Sequence, residues 1–411
     1  MKKLALFTIT FFISTLAFFA QSNTCDCKTD LDFIVEKIKK MPSYKKQING
    51  NKEVEFETTY HTLSSKMKEP ILVEDCYKML LKQMLLVNDA HASLQINTTI
   101  IPETILENDS QFLEFKTTDL FKQHPKTRLD ISNLKDELAQ KSLDDLEGIY
   151  NYKDNEKIGI YYSDNKKDLI GVVLETNLKQ WTVGDIRFYA EHTNNKKYNV
   201  YYYNTATKTP GLVKSLSFDN GRIWSYKKVG NSNDFEFADN NDSLTVFKQI
   251  NKDTQYLYFK SFGNSKKKEL TTFYNDTKDK LTAKNVIVDL RSNSGGNKKY
   301  SDVFLKLLKN KNVYVLTNSF TASNGEQFTL KLLNNKNAKH LGQTTFGVIA
   351  YGLNYGRSYN TPSEHFRITP TDMNFHKYFE YEGKGINPEI PLAFDSDWID
   401  QTLKIIETDN I

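Results

Sequence analysis

The chain has 411 residues, room for two or three domains, and its 39% hydrophobic and 13% aromatic content is that of a folded protein and excludes a disordered one. A formal charge of +4, or +2 without Lys2 and Lys3, gives no electrostatic basis for nucleic-acid binding.

Residues 1–22 read as a signal peptide: a basic start at Lys2-Lys3, then the apolar run LALFTITFFISTLAFFA. Cleavage follows Ala20 or Ser22. The competing reading is an uncleaved anchor, for which about 17 apolar residues is the short limit. No later segment is long and apolar enough to span, so no stable membrane insertion is expected after cleavage, and the mature protein is expected in the periplasm or outside the cell. Such a compartment permits disulfides. Cys25, Cys27 and Cys76 allow one bond, expected between Cys76 and one of the other two.

Residues 23–145 read as a helical N-terminal region. DLDFIVEKIKKM (30–41), 60–67 and 75–87 carry apolar residues at helical spacing. NDAHASLQI (88–96) then turns to alternation, so His91 sits at a helix-to-strand junction, a place that can project into a cleft. Spacing alone does not distinguish it from the other six histidines. One further helix is expected at 131–140, within a connector. Residues 146–245 read as a small antiparallel β domain, with strand-length runs such as KIGIYYS, LIGVVLET and KYNVYYYN broken by Asn, Asp, Gly and Lys.

Residues 246–411 read as an α/β domain. VIVDL (286–290) and NVYVLT (312–317) are continuous apolar strands of the kind buried on both faces of a parallel sheet, and each is followed by a turn and a helical pattern. FRITPTDMNF suggests a hairpin, and WIDQTLKIIE a closing helix. The first turn ends at Gly295-Gly296 and the second at Ser323. A serine at a helix start has backbone amides and the helix dipole to favour a developing negative charge. The same Ser323-Asn-Gly-Glu326 also fits a plain capping box. Asp289 and Arg291 read as a buried structural pair, and Glu326 as part of the helix start.

The motifs NVIVDLRSNSGG (285–296), TNSFTASNGEQF (317–328), GQTTFG (342–347) and EGKGINPEI (382–390), in that order, resemble the tail-specific, or C-terminal processing, serine peptidases, including their tricorn-like branch. The resemblance covers about 254–406 plus the patch around His91. It implies a spiral β-β-α core of the ClpP/crotonase kind carrying the N-terminal helical part and the inserted β domain, with Ser323 as nucleophile acting on a peptide or protein substrate. Amides of Gly295, Gly296 and Asn324 are the implied oxyanion hole. Two features depart from the common pattern. Val348 stands where the family's base lysine would be. The carboxylate-binding glycine loop of a PDZ module has no counterpart in 146–245. The tricorn-like arrangement instead implies His91, in Asp89-Ala-His91-Ala-Ser-Leu94, as base and Glu382 as the carboxylate that orients it, although Ala90 replaces a linking serine. Lys384 is a third candidate base. A fold that kept its shape and lost its chemistry is the alternative. No metal or cofactor is implied, and no oligomeric state.

Overall fold

The computed structural model describes residues 24–194, 196–239 and 242–409; the expected signal segment lies outside them. None of the described helices is long and apolar enough to cross a membrane.

The N-terminal helices Cys27–Lys40, Asn51–Ser65 and Val73–Met84 share one apolar core. In the last of these, Cys76, Tyr77, Leu80, Leu81 and Met84 form the buried stripe, while Glu74 and Asp75 lie in the first turn where the helix dipole favours acids. A Cys27–Cys76 disulfide staples the first helix to it, with Cα atoms 5.6 Å apart, and Cys25 is left as a buried free thiol. Burial pushes that thiol up to about 12, so it is protonated and unreactive at neutral pH. In the connector the expected helix is Ile131–Ala139, begun by an Asp130 cap. Three shorter ones, Glu103–Leu106, Asp109–Phe115 and Asp119–Lys122, precede it. Each has too few turns to leave a periodic signal.

Eight strands from Gly148–Tyr152 to Tyr226–Lys228 form a meander in which each pairs with the next. The last returns to the first, with Lys227 opposite Asn151, so the β domain is a closed barrel. Closure removes the exposed strand edges that an open sheet would leave. Tyr150, Ile158, Ile160, Phe188 and Phe218 fill the barrel, and an Arg187–Glu156 pair at 3.0 Å is buried there.

The remaining chain builds a six-stranded sheet. Thr245–Asn251 lies antiparallel on the edge; Thr254–Phe259, Asn285–Asp289, Asn312–Thr317, Ala338–Gly342 and Ile390–Pro391 follow in parallel. Leu257, Phe259, Val286, Val288, Phe304 and Phe328 make the core on one face, and Tyr256, Tyr258, Ile287, Leu316 and Trp398 the core on the other. Each such fully buried side chain is worth about 1.5–3 kcal/mol over exposure. Parallel order puts the turns after Asp289 and Thr317 side by side at one sheet edge, where an open α/β sheet can form a cleft.

FRITPTDMNF is not a hairpin. Phe366–Thr369 pairs with Ser93–Ile96, the strand that follows His91, and Met373–Asn374 pairs with Tyr351–Gly352. Between them Pro370 interrupts the ladder and the Thr371 hydroxyl donates to Asp89 Oδ2 at 2.6 Å.

Candidate active site

Ser323 is the N-cap of the helix Asn324–Leu332, with φ 56 and ψ −122, a left-handed backbone that a non-glycine residue adopts only under outside support. The support is visible. Its N–H donates to Glu326 Oε2 (3.0 Å) and to the Val348 carbonyl (2.9 Å). The neighbouring turn presses on it. Asn293 donates to the Phe259 carbonyl (2.7 Å) and accepts from the Gly295 N–H (2.8 Å), and its own carbonyl accepts from Ala322 N–H (2.9 Å). Gly295, at φ 79, is required here: a Cβ would stand 2.6 Å from Ser323 Cβ and 2.8 Å from the Asn324 nitrogen. The Gly295 amide is therefore spent on Asn293. Among the described residues the Gly296 and Asn324 N–H groups have no partner, which leaves two of the three expected oxyanion donors available. Asp289 and Arg291 are buried together at 2.6 Å, and Arg291 also donates to the carbonyls of Phe235 and Phe237. Their role is to tie down the chain leading from the barrel.

His91 Nε2 lies 3.2 Å from Ser323 Oγ, although the two are 232 residues apart in sequence. The segment around His91 has no regular structure, and most of its anchors come from elsewhere. Gln47 exchanges two hydrogen bonds with the Asn88 backbone. Asp89 accepts from Ala92 N–H (3.1 Å) as well as from Thr371. Lys214 Nζ, from a barrel strand, donates to the carbonyls of Asp89 (2.7 Å) and Ala92 (2.9 Å). Burial pushes the His91 imidazole below its ordinary range; the Asp89 carboxylate opposes this and the Lys214 ammonium reinforces it. The neutral, proton-accepting form is thus favoured near neutral pH.

Glu382 does not reach the imidazole. Its carboxylate accepts from the amides of Ala90 (2.9 Å), Ile349 (2.9 Å) and Ala350 (2.8 Å), so it joins the histidine loop to the 345–350 segment through backbone. Burial pushes it up to about 7 against those amides. His91 Nδ1 is buried with no partner among the described residues. What orients the ring is therefore the backbone of its loop, not a carboxylate on Nδ1.

Glu326 does more than start a helix. Wholly buried, it accepts from Ser323 N–H, the Thr345 hydroxyl (2.6 Å), Gly347 N–H (2.8 Å) and Val348 N–H (3.0 Å). Val348 thereby contributes its backbone to the nucleophile turn, while its side chain has no proton to exchange. Lys384 is exposed, and its side chain makes no hydrogen bond or ion pair among the described residues. Lys197 Nζ, buried, donates to the carbonyls of Thr345 (2.8 Å) and Phe346 (3.1 Å). Neither Lys197 nor Lys214 was legible as a site residue, because a lysine on a barrel strand looks like any solvated face. Beside His91 lies a cavity of about 180 Å³, walled by Ala90, Ala92, Leu94, Leu212 and Phe346. Its walls are mainly apolar, with Ser93 and Lys214 among them. Among the described residues, one group of metal-capable side chains converges, Cys25, Asp30 and Cys76, and Cys76 is committed to the disulfide.

Residues 298–392, a segment that includes Ser323, Val348 and Glu382, match the family model Peptidase family S41. No curated protein matches the chain. Among solved structures it is similar to the tricorn protease (13% identity, 93% of this chain and 37% of that one, TM-score 0.44). It is also similar to mature CPAF complexed with lactacystin (11% identity, 93% and 98%, TM-score 0.42) and to the photosystem II D1 C-terminal processing protease (10% identity, 90% and 94%, TM-score 0.39).

Proposed function

We propose that this protein is an exported serine-type endopeptidase in which Ser323 is the nucleophile and His91 the base. The observation that carries the reading is the 3.2 Å approach of His91 Nε2 to Ser323 Oγ at the edge of a parallel sheet, with Ser323 inside the segment that matches S41 and His91 outside it. The same reading carries the finer architecture of a spiral β-β-α core. Ser323 Oγ adds to the peptide carbonyl carbon and His91 Nε2 takes its proton. The amides of Gly296 and Asn324 receive the oxyanion; one such donor is typically worth about 10²–10³ in kcat. The imidazolium then returns its proton to the leaving amine. Water repeats the sequence on the acyl-enzyme, releasing the acid and restoring Ser323. Glu382 acts on the base through the Ala90 amide. The Cys27–Cys76 bond supports export, since disulfides persist in oxidising compartments.

The buried, unpartnered His91 Nδ1 favours one second reading, a peptidase-fold protein that binds peptides without cutting them. Incubation with an unstructured protein, read by mass spectrometry, separates the two. Cleavage that disappears in Ser323→Ala and in His91→Ala supports the peptidase. Hydrolysis intact in both variants overturns the assignment. Binding by the wild type with no cleavage supports the second reading.

A further inference from the structure

The barrel is joined to the candidate site by two lysines, and each lands on one half of it. Lys197 opens the strand Lys197–Tyr203, and Lys214 lies in its neighbour Pro210–Asp219. Their pairing is not regular. Register shifts between Tyr198 and Val200, where Ser215 takes φ 57 and its N–H turns to the Asn199 side chain. A bulge of this kind re-aims a side chain, and it sits next to Lys214.

The targets are specific. Lys214 Nζ bridges the carbonyls of Asp89 and Ala92, which bracket Ala90-His91. Lys197 Nζ bridges the carbonyls of Thr345 and Phe346. That second loop is bound directly to the nucleophile turn, with Phe346 N–H on the Thr321 carbonyl and Ser323 N–H on the Val348 carbonyl, both at 2.9 Å. Each ammonium also faces the carboxylate that holds the same loop: Asp89 and Glu382 for Lys214, Glu326 for Lys197. An ammonium is costly to bury, and burial pushes both lysines below their ordinary range, Lys197 to about 8. An apolar residue would pack these strand positions at lower cost, but would leave four loop carbonyls without their donors.

We infer that Lys214 and Lys197 are positioning residues for the Ser323–His91 pair, so that the barrel is a working part of the site: one lysine fixes the loop of the base, the other the loop that supports the nucleophile. This rests on the peptidase reading for its consequence in rate, though not for its consequence in loop order. Because no carboxylate sits on His91 Nδ1, the imidazole is held only as well as its backbone is held, and a misplacement near 1 Å costs about 10²-fold in rate.

The test compares Lys214→Met, Lys197→Met and Lys208→Met. Lys208 is another buried lysine of the barrel, paired with Asp185 at 2.7 Å and touching neither loop. Two readouts are taken on folded protein: amide hydrogen exchange in 88–93 and 345–350, and the rate of fluorophosphonate addition to Ser323. Lys214→Met should speed exchange in 88–93 and Lys197→Met in 345–350, each at least tenfold, roughly, with labelling slowed by about 10²-fold. Lys208→Met should move neither. If Lys214→Met does not fold, Lys214→Gln, with a polar head of shorter reach, carries the same expectation. Unchanged exchange in both loops, or equal loosening by Lys208→Met, overturns the inference. If the wild type takes no label while exchange moves as expected, the lysines hold the loops and it is the peptidase reading that fails.

Discussion

The turn that carries Ser323 and the loop that carries His91 are built in opposite ways. The serine turn is local: a buried parallel strand, a short turn, a helix, and a glutamate three residues on that anchors the strained backbone. The histidine loop has no such frame. Gln47, Lys214, Thr371 and Glu382, drawn from the helical region, the barrel and the far end of the chain, hold it. The nucleophile thus takes much of its frame from neighbours in sequence, while its base depends on the correct docking of three separate parts.

The largest effect on the local side should come from Glu326→Ala. It strands three buried donors at once, the Gly347 and Val348 amides and the Thr345 hydroxyl, and leaves the Ser323 amide only the Val348 carbonyl. The loss should be about 3–5 kcal/mol in denaturant unfolding. A loss under about 1 kcal/mol would mean the turn does not lean on Glu326.

Gly295→Ala should be next. Its new Cβ meets Ser323 Cβ at 2.6 Å at a positive φ, so stability should fall by about 1–3 kcal/mol and labelling of Ser323 by about 10²-fold, read in the same preparation. Equal labelling would show that the glycine turn is not part of the site.

On the non-local side, pH gives the sharper handle. Glu382 is raised from an ordinary value of 4.5 to about 7, so the folded state binds a proton that the unfolded state releases between these values. Its contribution is fully present below 4.5 and lost as pH rises through 7, on the order of 3 kcal/mol in all. The difference in unfolding free energy between wild type and Glu382→Gln should therefore change across that window and be flat above it. A difference constant from pH 4 to 8, roughly, would contradict the buried state of this carboxylate. His91, pushed below its ordinary value, should place the acid-side fall of the labelling rate at lower pH than an ordinary imidazole would.

The smallest effect should be that of Lys384→Met. The side chain is exposed, so rate and melting temperature should stay at wild-type values; a large drop in labelling would restore Lys384 as a base.

The same contrast explains what the sequence made legible. Strands buried on both faces leave continuous apolar runs, so VIVDL and NVYVLT and the turns after them could be read directly. Ser323 and the glycine turn were legible for that reason. Closure of the barrel was not, because Arg222–Ile223 and Tyr226–Lys228 are too short to alternate. The hairpin expected in FRITPTDMNF failed because Phe366–Thr369 finds its partner some 270 residues away, and pairing at that range has no local signal. His91 stood out only through its motif. Glu382 was expected to orient the base, but the amides of Ala90, Ile349 and Ala350 that it binds are a matter of tertiary packing with no local signal.

The most direct test is intact-mass analysis of the protein after treatment with a fluorophosphonate, beside Ser323→Ala and His91→Ala. The account predicts one adduct on the wild type, absent from Ser323→Ala and slowed by at least about 10³-fold in His91→Ala. An unlabelled wild type, or His91→Ala labelling at the wild-type rate, would contradict the claim that His91 activates Ser323.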